Sequence, residues 1–157
     1  MREIVYEYDD ISELHELSAK CLVTGPICLY PEGQKPTSDE ILMKAVWDTG
    51  SERTLVSKDI LETLELEPIG MGIELHSITG AYKSDMYIID LYLTEDVAIR
   101  NLIVGELPNN TNYSILIGID AILRTDFSIE PKGNKVFLKV RHPSQKGGFT
   151  TKKVEKF

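Results

Sequence analysis

A short run of β-forming residues, 41–47 (ILMKAVW), stops abruptly at Asp48-Thr49-Gly50-Ser51. This junction constrains the fold more than any other part of the chain. An apolar segment of strand length that ends in a turn places the carboxylate of Asp48 at the lip of a sheet, on a rigid element. Gly50 permits a turn that a side chain would block, and it presents an N–H to a carboxylate oxygen. Hydrogen bonds of that kind orient the carboxylate and favour its ionised form. Thr49 and Ser51 add hydroxyls. By average residue usage such a tetrad arises in roughly one chain in a few hundred of this length. Taken alone, Asp48 also reads as a turn former that accepts backbone hydrogen bonds, the weaker of the two readings.

The rest of the chain reads as short strands punctuated by turn residues. Residues 21–30 (CLVTGPICLY) are rich in β-formers and lead into the turn-rich stretch 31–40. Residues 57–64 predict one or two helical turns with Ser57 as N-cap. The segments 72–78 and 82–93 flank Thr79-Gly80-Ala81, which predicts a hairpin whose turn needs the glycine. Residues 97–107 predict a further strand, and 114–118 (SILIG) a buried strand ending in glycine. Asp120 is expected to cap a short helix over 121–125, and a closing hairpin turns at Gly133-Asn134. Spacing of Ile11, Leu14, His15 and Leu17 behind Asp9 and Asp10 predicts a short helix in an N-terminal segment, 1–19. A folded domain is expected over 20–142 and a basic, flexible tail over 143–157. Many short strands with little helix mean an all-β, barrel-like domain.

Composition limits the function classes. A chain of 157 residues supports one ordinary domain. It has no apolar run long enough to span a membrane, and its charged first twenty residues predict no secretory leader, so a cytoplasmic location is expected. From Pro143 onward four lysines face Glu155, a balance of +3; the total of −8 therefore leaves −11 on the remainder. An acidic body argues against nucleic-acid binding, which needs a basic face. Cys21 and Cys28 lack CxxC spacing, and His15, His76 and His142 are not spaced as ligands, so neither metal nor cofactor is expected. No Ser-His-Asp set or phosphate-cradling glycine loop occurs; Gly70 and Gly72 lack the strand-loop-helix setting such loops require. Asp85, Asp90 and Asp96 have no setting like that of Asp48. Trp47 should point to the opposite face from Asp48, into packing.

Over roughly residues 20–140 the sequence resembles the retroviral-type aspartic peptidases, the retropepsin-like family. Four features occur in the family's order. Val46-Trp47-Asp48-Thr49-Gly50-Ser51 matches the catalytic turn, and the run 54–57 follows it. The hairpin over 75–82 stands where the family has its substrate-covering flap. Leu116-Ile117-Gly118 matches the glycine signature that packs beside the catalytic turn as a ψ-shaped crossing. Ile119-Asp120 and a short helix holding Leu123 then follow. Glu52 and Arg53 depart from the small or β-branched residues common after the tetrad.

The resemblance implies a pepsin-half, closed β-barrel with one short helix, acting as a homodimer. It implies Asp48 as the catalytic residue, supported by Thr49, Gly50 and Ser51. Ile78, Thr79 and Gly80 would form the flap, and Leu116, Ile117, Gly118 and Asp120 the structural ψ-loop. Ile78, Ile117 and Ile119 are candidates for lining substrate pockets. Aspartic peptidase chemistry needs two carboxylates, and this chain has one Asp-Thr-Gly, so the second must come from another copy through an isologous contact. The expected partners are thus a second copy and an extended polypeptide substrate, without cofactor, nucleic acid or membrane. The same fold also serves as a non-catalytic dimerisation or peptide-binding module, and the intact tetrad favours the enzyme.

Overall fold

A computed structural model describes residues 2–26, 42–77, 80–108 and 111–143. Cys28, the turn-rich stretch after it, Ile78, Thr79 and the basic tail lie outside the described residues. The chain runs β1 (Arg2–Tyr8), β2 (Ser18–Thr24), β3 (Met43–Trp47), β4 (Leu55–Ser57), α1 (Lys58–Thr63), β5 (Gly72–Ser77), β6 (Gly80–Asp85) and β7 (Tyr87–Thr94). It continues through β8 (Val97–Leu107), β9 (Ile115–Ile117), α2 (Ile119–Ile122), β10 (Asp126–Lys132) and β11 (Lys135–His142). The short helices expected over 57–64 and after Gly118 form as α1 and α2, one more than the fold implied by the resemblance has. Ser57 stands at the N-cap position of α1, but its side chain makes no capping hydrogen bond.

Six strands close a barrel in the order β2-β3-β9-β4-β8-β7, with β7 pairing back to β2. β9 runs parallel to β3 (Val46 opposite Leu116) and antiparallel to β4 (Leu55 opposite Leu116). One short strand thus threads between the two limbs of the loop that carries Asp48. Its brevity and apolar character suit a strand covered on both faces. The barrel interior holds Val23, Val56, Ile89, Leu91, Ile99, Val104, Ile115 and Ile117, with almost no exposure. Burying a side chain of that size stabilises by roughly 1.5–3 kcal/mol, against about 0–1 kcal/mol for a surface ion pair. The barrel interior, and not pairs such as Lys139–Glu130, therefore holds the fold.

The N-terminal segment folds differently from its sequence expectation. Residues 2–8 alternate, with Ile4, Tyr6 and Tyr8 turned toward the core and Glu3, Val5 and Glu7 outward. They form β1, which pairs antiparallel with β11 in a three-stranded sheet, β1-β11-β10. The helix expected near 11–17 does not form; Glu13 N–H bonds to Asp10 O in a tight turn, Asp10 adopts φ 55°, and extended chain follows into β2. Trp47 fastens this sheet to the barrel, its ring 6.3 Å from Tyr6 and 5.4 Å from Phe127. It packs away from Asp48, as alternation requires. The segment 82–93 divides at Met86, which bonds to Ile69 and Met71, and there the chain leaves the β5–β6 hairpin for the barrel.

Cys21 is fully buried on β2. Burial pushes its thiol up to about 12, and burial, then the neighbouring thiol, pushes the Tyr8 phenol up to about 12. A raised folded-state value means that stability is complete below the ordinary thiol value and is lost as pH rises toward the folded one, because only the unfolded chain ionises in between. Urea midpoints should therefore hold to about pH 8 and fall steadily toward about pH 11, and Cys21→Ala should flatten the decline. Equal slopes in the two proteins would remove the thiol from this account.

Candidate active site

The turn after β3 is built as its residues require. Asp48 N–H bonds to Ile117 O at 2.9 Å, which locks the end of β3 to β9. Gly50 N–H donates to Asp48 Oδ1 at 2.8 Å. A Cβ at Gly50 would come within 3.2 Å of that same oxygen, so glycine allows the close approach. The carboxylate is half-buried, and Thr49 and Gly50 are exposed beside it. Ser51 turns inward: its hydroxyl donates to Arg53 O at 2.8 Å and its carbonyl accepts Ile119 N–H at 2.8 Å.

Beneath the turn, Gly118 has the least room of the described glycines. A Cβ at Gly118 would stand 2.5 Å from Arg53 C, 2.6 Å from Arg53 O and 2.9 Å from Thr54 N. These are backbone atoms, which cannot swing aside, so only glycine fits. Thr54 is wholly buried. Its hydroxyl accepts Gly118 N–H at 3.1 Å and donates to Asp120 Oδ1 at 2.7 Å. The same oxygen accepts the Thr54 N–H and the Ala121 N–H, each at 2.9 Å. Asp120 is therefore no helix cap; Gly118 holds that position on α2, and Asp120 instead clasps the strand below Asp48. The sequence reading missed Thr54, whose signal was a polar residue opening an apolar strand.

β4 and β9 each divide their side chains between two clusters. Val56, Ile115 and Ile117 enter the barrel, and Ile119 packs against it. Leu55 and Leu116 face the other way, forming with Leu107 a second cluster on which Leu75 and Tyr113 pack. Ile117 and Ile119, expected at a pocket, thus belong to the barrel core, while Leu116 and Leu55 take the outer position. By alternation Leu116 of this second cluster shares the sheet face opposite Trp47, the face to which Asp48 points. Tyr113 lies close enough that, after burial, the charges of Asp48 and then Glu16 raise its phenol above the ordinary value. Leu75 comes from β5, so the β5–β6 hairpin is part of this wall. Gly80 opens β6 opposite Ser77, with φ 138°. On another flank Leu14, His15, Glu16 and Leu17 border a surface notch of about 410 Å³ reaching Trp47 and Asp48.

The remaining candidates lie elsewhere. Asp90 is buried on β7, where Arg100 Nη1 and Asn101 N–H bond to it at 2.9 and 2.8 Å. Asp96 pairs with Arg2 and His76 with Glu74. His142 Nδ1 lies 3.0 Å from Arg124 O. Among the described residues no three His, Cys, Asp or Glu side chains are grouped to hold a metal ion, and no helix is long and apolar enough to cross a membrane.

Gly118→Ala should cost about 3 kcal/mol or more, because a methyl group meets backbone. Asp120→Ala should cost about 2–4 kcal/mol by stranding the buried Thr54 donors. Urea denaturation measures both, and a loss below about 0.5 kcal/mol in either variant would contradict the crossing's structural role.

No protein-family model and no curated protein matches the chain. Among solved structures it is similar to a retropepsin-like aspartic protease from Rickettsia conorii, with a TM-score of 0.54 and 12% sequence identity. The match covers 88% of this chain and 93% of that one. An all-β chain closed as a six-stranded barrel, threaded by β9 beneath the Asp48 turn, and alike over nearly its whole length has the retropepsin-like fold.

Proposed function

We propose that the chain is one subunit of a homodimeric aspartic endopeptidase, with Asp48 of each copy supplying one of two catalytic carboxyls. The observation that carries this reading is the Asp48 turn: a half-exposed carboxylate at a strand end, oriented by Gly50 N–H at 2.8 Å above a crossing that only glycine permits. A carboxylate serving structure alone needs neither the exposure nor the apolar wall beside it.

Two carboxyls held one hydrogen bond apart cannot both ionise, so the pair shares a proton. The ionised member takes a proton from a bound water, which attacks the peptide carbonyl. The protonated member donates to the carbonyl oxygen as the tetrahedral intermediate forms. Thr49, Gly50 and Ser51 hold the turn, while Leu116, Ile117, Gly118 and Asp120 hold the crossing beneath it. An extended polypeptide would lie between this floor and the hairpin of Ile78, Thr79 and Gly80, pairing with hairpin backbone as an added strand.

Dimerisation accounts for surface features that an isolated subunit leaves open. Among the described residues β10 is an edge strand of the sheet β1-β11-β10, and its Ile129 is 44% exposed. Leu123, just before it, is 75% exposed. Unpaired edges bearing apolar side chains invite pairing with another chain. Self-pairing about a two-fold axis closes the interface and brings the same patch of both copies together.

The test is cleavage of a denatured or random-peptide mixture from about pH 4 to 7, comparing the natural chain with Asp48→Asn. Cleavage that a transition-state analogue of aspartic peptidases blocks, and that the substitution reduces by at least about a thousandfold, is the expected result. Identical behaviour of the two proteins, both verified as folded dimers, would leave Asp48 a structural role and favour a peptide-binding module.

A further inference from the structure

The β5–β6 hairpin meets the barrel at two levels. At its base β6 runs on through Met86 into the barrel strand β7, and the two limbs are tied to each other there, Ile69 N–H bonding to Met86 O at 2.9 Å and Met86 N–H to Met71 O at 3.2 Å. Higher up, it rests on the end of β8. A Cβ at Gly105 would stand 3.1 Å from Leu55 Cδ2, 3.2 Å from Leu75 Cδ1 and 3.2 Å from Ser84 Oγ. Leu75 of β5 and Ser84 of β6 thus press into the space that a side chain at 105 would fill. Ser84 is bonded on both sides: its hydroxyl accepts Glu106 N–H at 2.8 Å and donates to Asp85 O at 2.7 Å. The Tyr82 hydroxyl donates to Glu106 O at 3.0 Å, and the Tyr87 hydroxyl to the Glu106 carboxylate at 3.0 Å. Leu75 and Tyr82 are cross-strand partners, so both strands of the hairpin are held at the same height, one by packing and one by a hydrogen bond.

An element attached at one level hinges; one attached at two levels does not. We propose that Gly105 and Tyr82 are positioning residues that seat the hairpin stem on β8, so that Leu75 is a fixed wall of the apolar cluster beside Asp48. The glycine supplies the gap, and the tyrosine closes the stem over it. The catalytic consequence rests on the peptidase reading, while the seating itself does not. A wall set in advance spares a bound peptide the ordering of this face, so loosening it weakens binding more than it slows the chemical step.

Amide hydrogen exchange resolved by NMR tests the seating, with the stem residues 72–75 and 82–85 compared against β7 and β8 of the same molecule. In the natural chain the stem should exchange as slowly as those barrel strands. Tyr82→Phe, which removes one hydroxyl without changing shape, should speed the stem about fivefold while leaving the barrel unchanged. Gly105→Val should speed it on the order of tenfold or more. With peptide substrate, Tyr82→Phe should raise KM by a larger factor than it lowers kcat. Fast stem exchange in the natural chain overturns the proposal. So do unchanged stem rates in Tyr82→Phe, or acceleration spread equally over stem and barrel. If the exchange results hold and no peptide is cleaved under any condition, the seating stands and the peptidase reading falls.

Discussion

The structure depends on the contact of Gly118 with the backbone of Arg53 and Thr54. Two chain segments more than sixty residues apart in sequence meet there without room for a methyl group. The buried Thr54 and Asp120 then satisfy the Thr54 amide, the Thr54 hydroxyl and the Gly118 amide at the close approach. Buried polar groups are costly unless paired, so these bonds make the crossing feasible and discourage any sliding of β9 against β4. Because β9 is held, β3 is held through its parallel pairing, and Asp48 comes off the end of β3 in one direction only.

From that crossing the molecule divides into two apolar regions of different purpose. Alternation along β4 and β9 sends Val56, Ile115 and Ile117 into the barrel and Leu55 and Leu116 to the face beside Asp48. The barrel side supplies stability. The outer side is small and shares its boundary with the β5–β6 hairpin through Leu75 and with Asp48 through Tyr113. The same preorganisation shapes both the turn and the stem: glycines at 50, 105 and 118 let other groups come closer than a side chain would allow, and hydrogen bonds then fix the approach.

Much of this was legible beforehand because it is local. The strands β3, β8 and β9, the hairpin β10–β11 with its turn at Gly133-Asn134, and the orientation of Trp47 follow from apolar runs, turn residues and a two-residue period. The misreadings came from local signals that competed. Over 2–8 the alternation of REIVYEY carries a strand signal that the helical reading of the N-terminal segment passed over, and β1 is completed by pairing with β11, more than a hundred residues away. Over 11–17 a few apolar residues at helical spacing were too short a run to nucleate a helix alone, and sheet pairing on either side prevailed. Asp120 stood where a capping residue belongs, yet the buried Thr54 offers two donors, its amide and its hydroxyl, to the same carboxylate oxygen.

By itself, then, the sequence determined the all-β class, the position of the Asp48 turn at a strand end and the need for glycine at 50, because strand period and turn chemistry act over a few residues. Only the tertiary structure decided that Gly118 has no room for a side chain, that Asp120 serves Thr54, and that Leu116 and not Ile117 lies on the sheet face shared with Asp48. It alone placed Gly105 and Glu106 under the hairpin and made the first strand part of the sheet. Each of those depends on which distant segments come into contact, and distance in space between residues far apart in sequence is set by the closed barrel as a whole, not by any stretch of it.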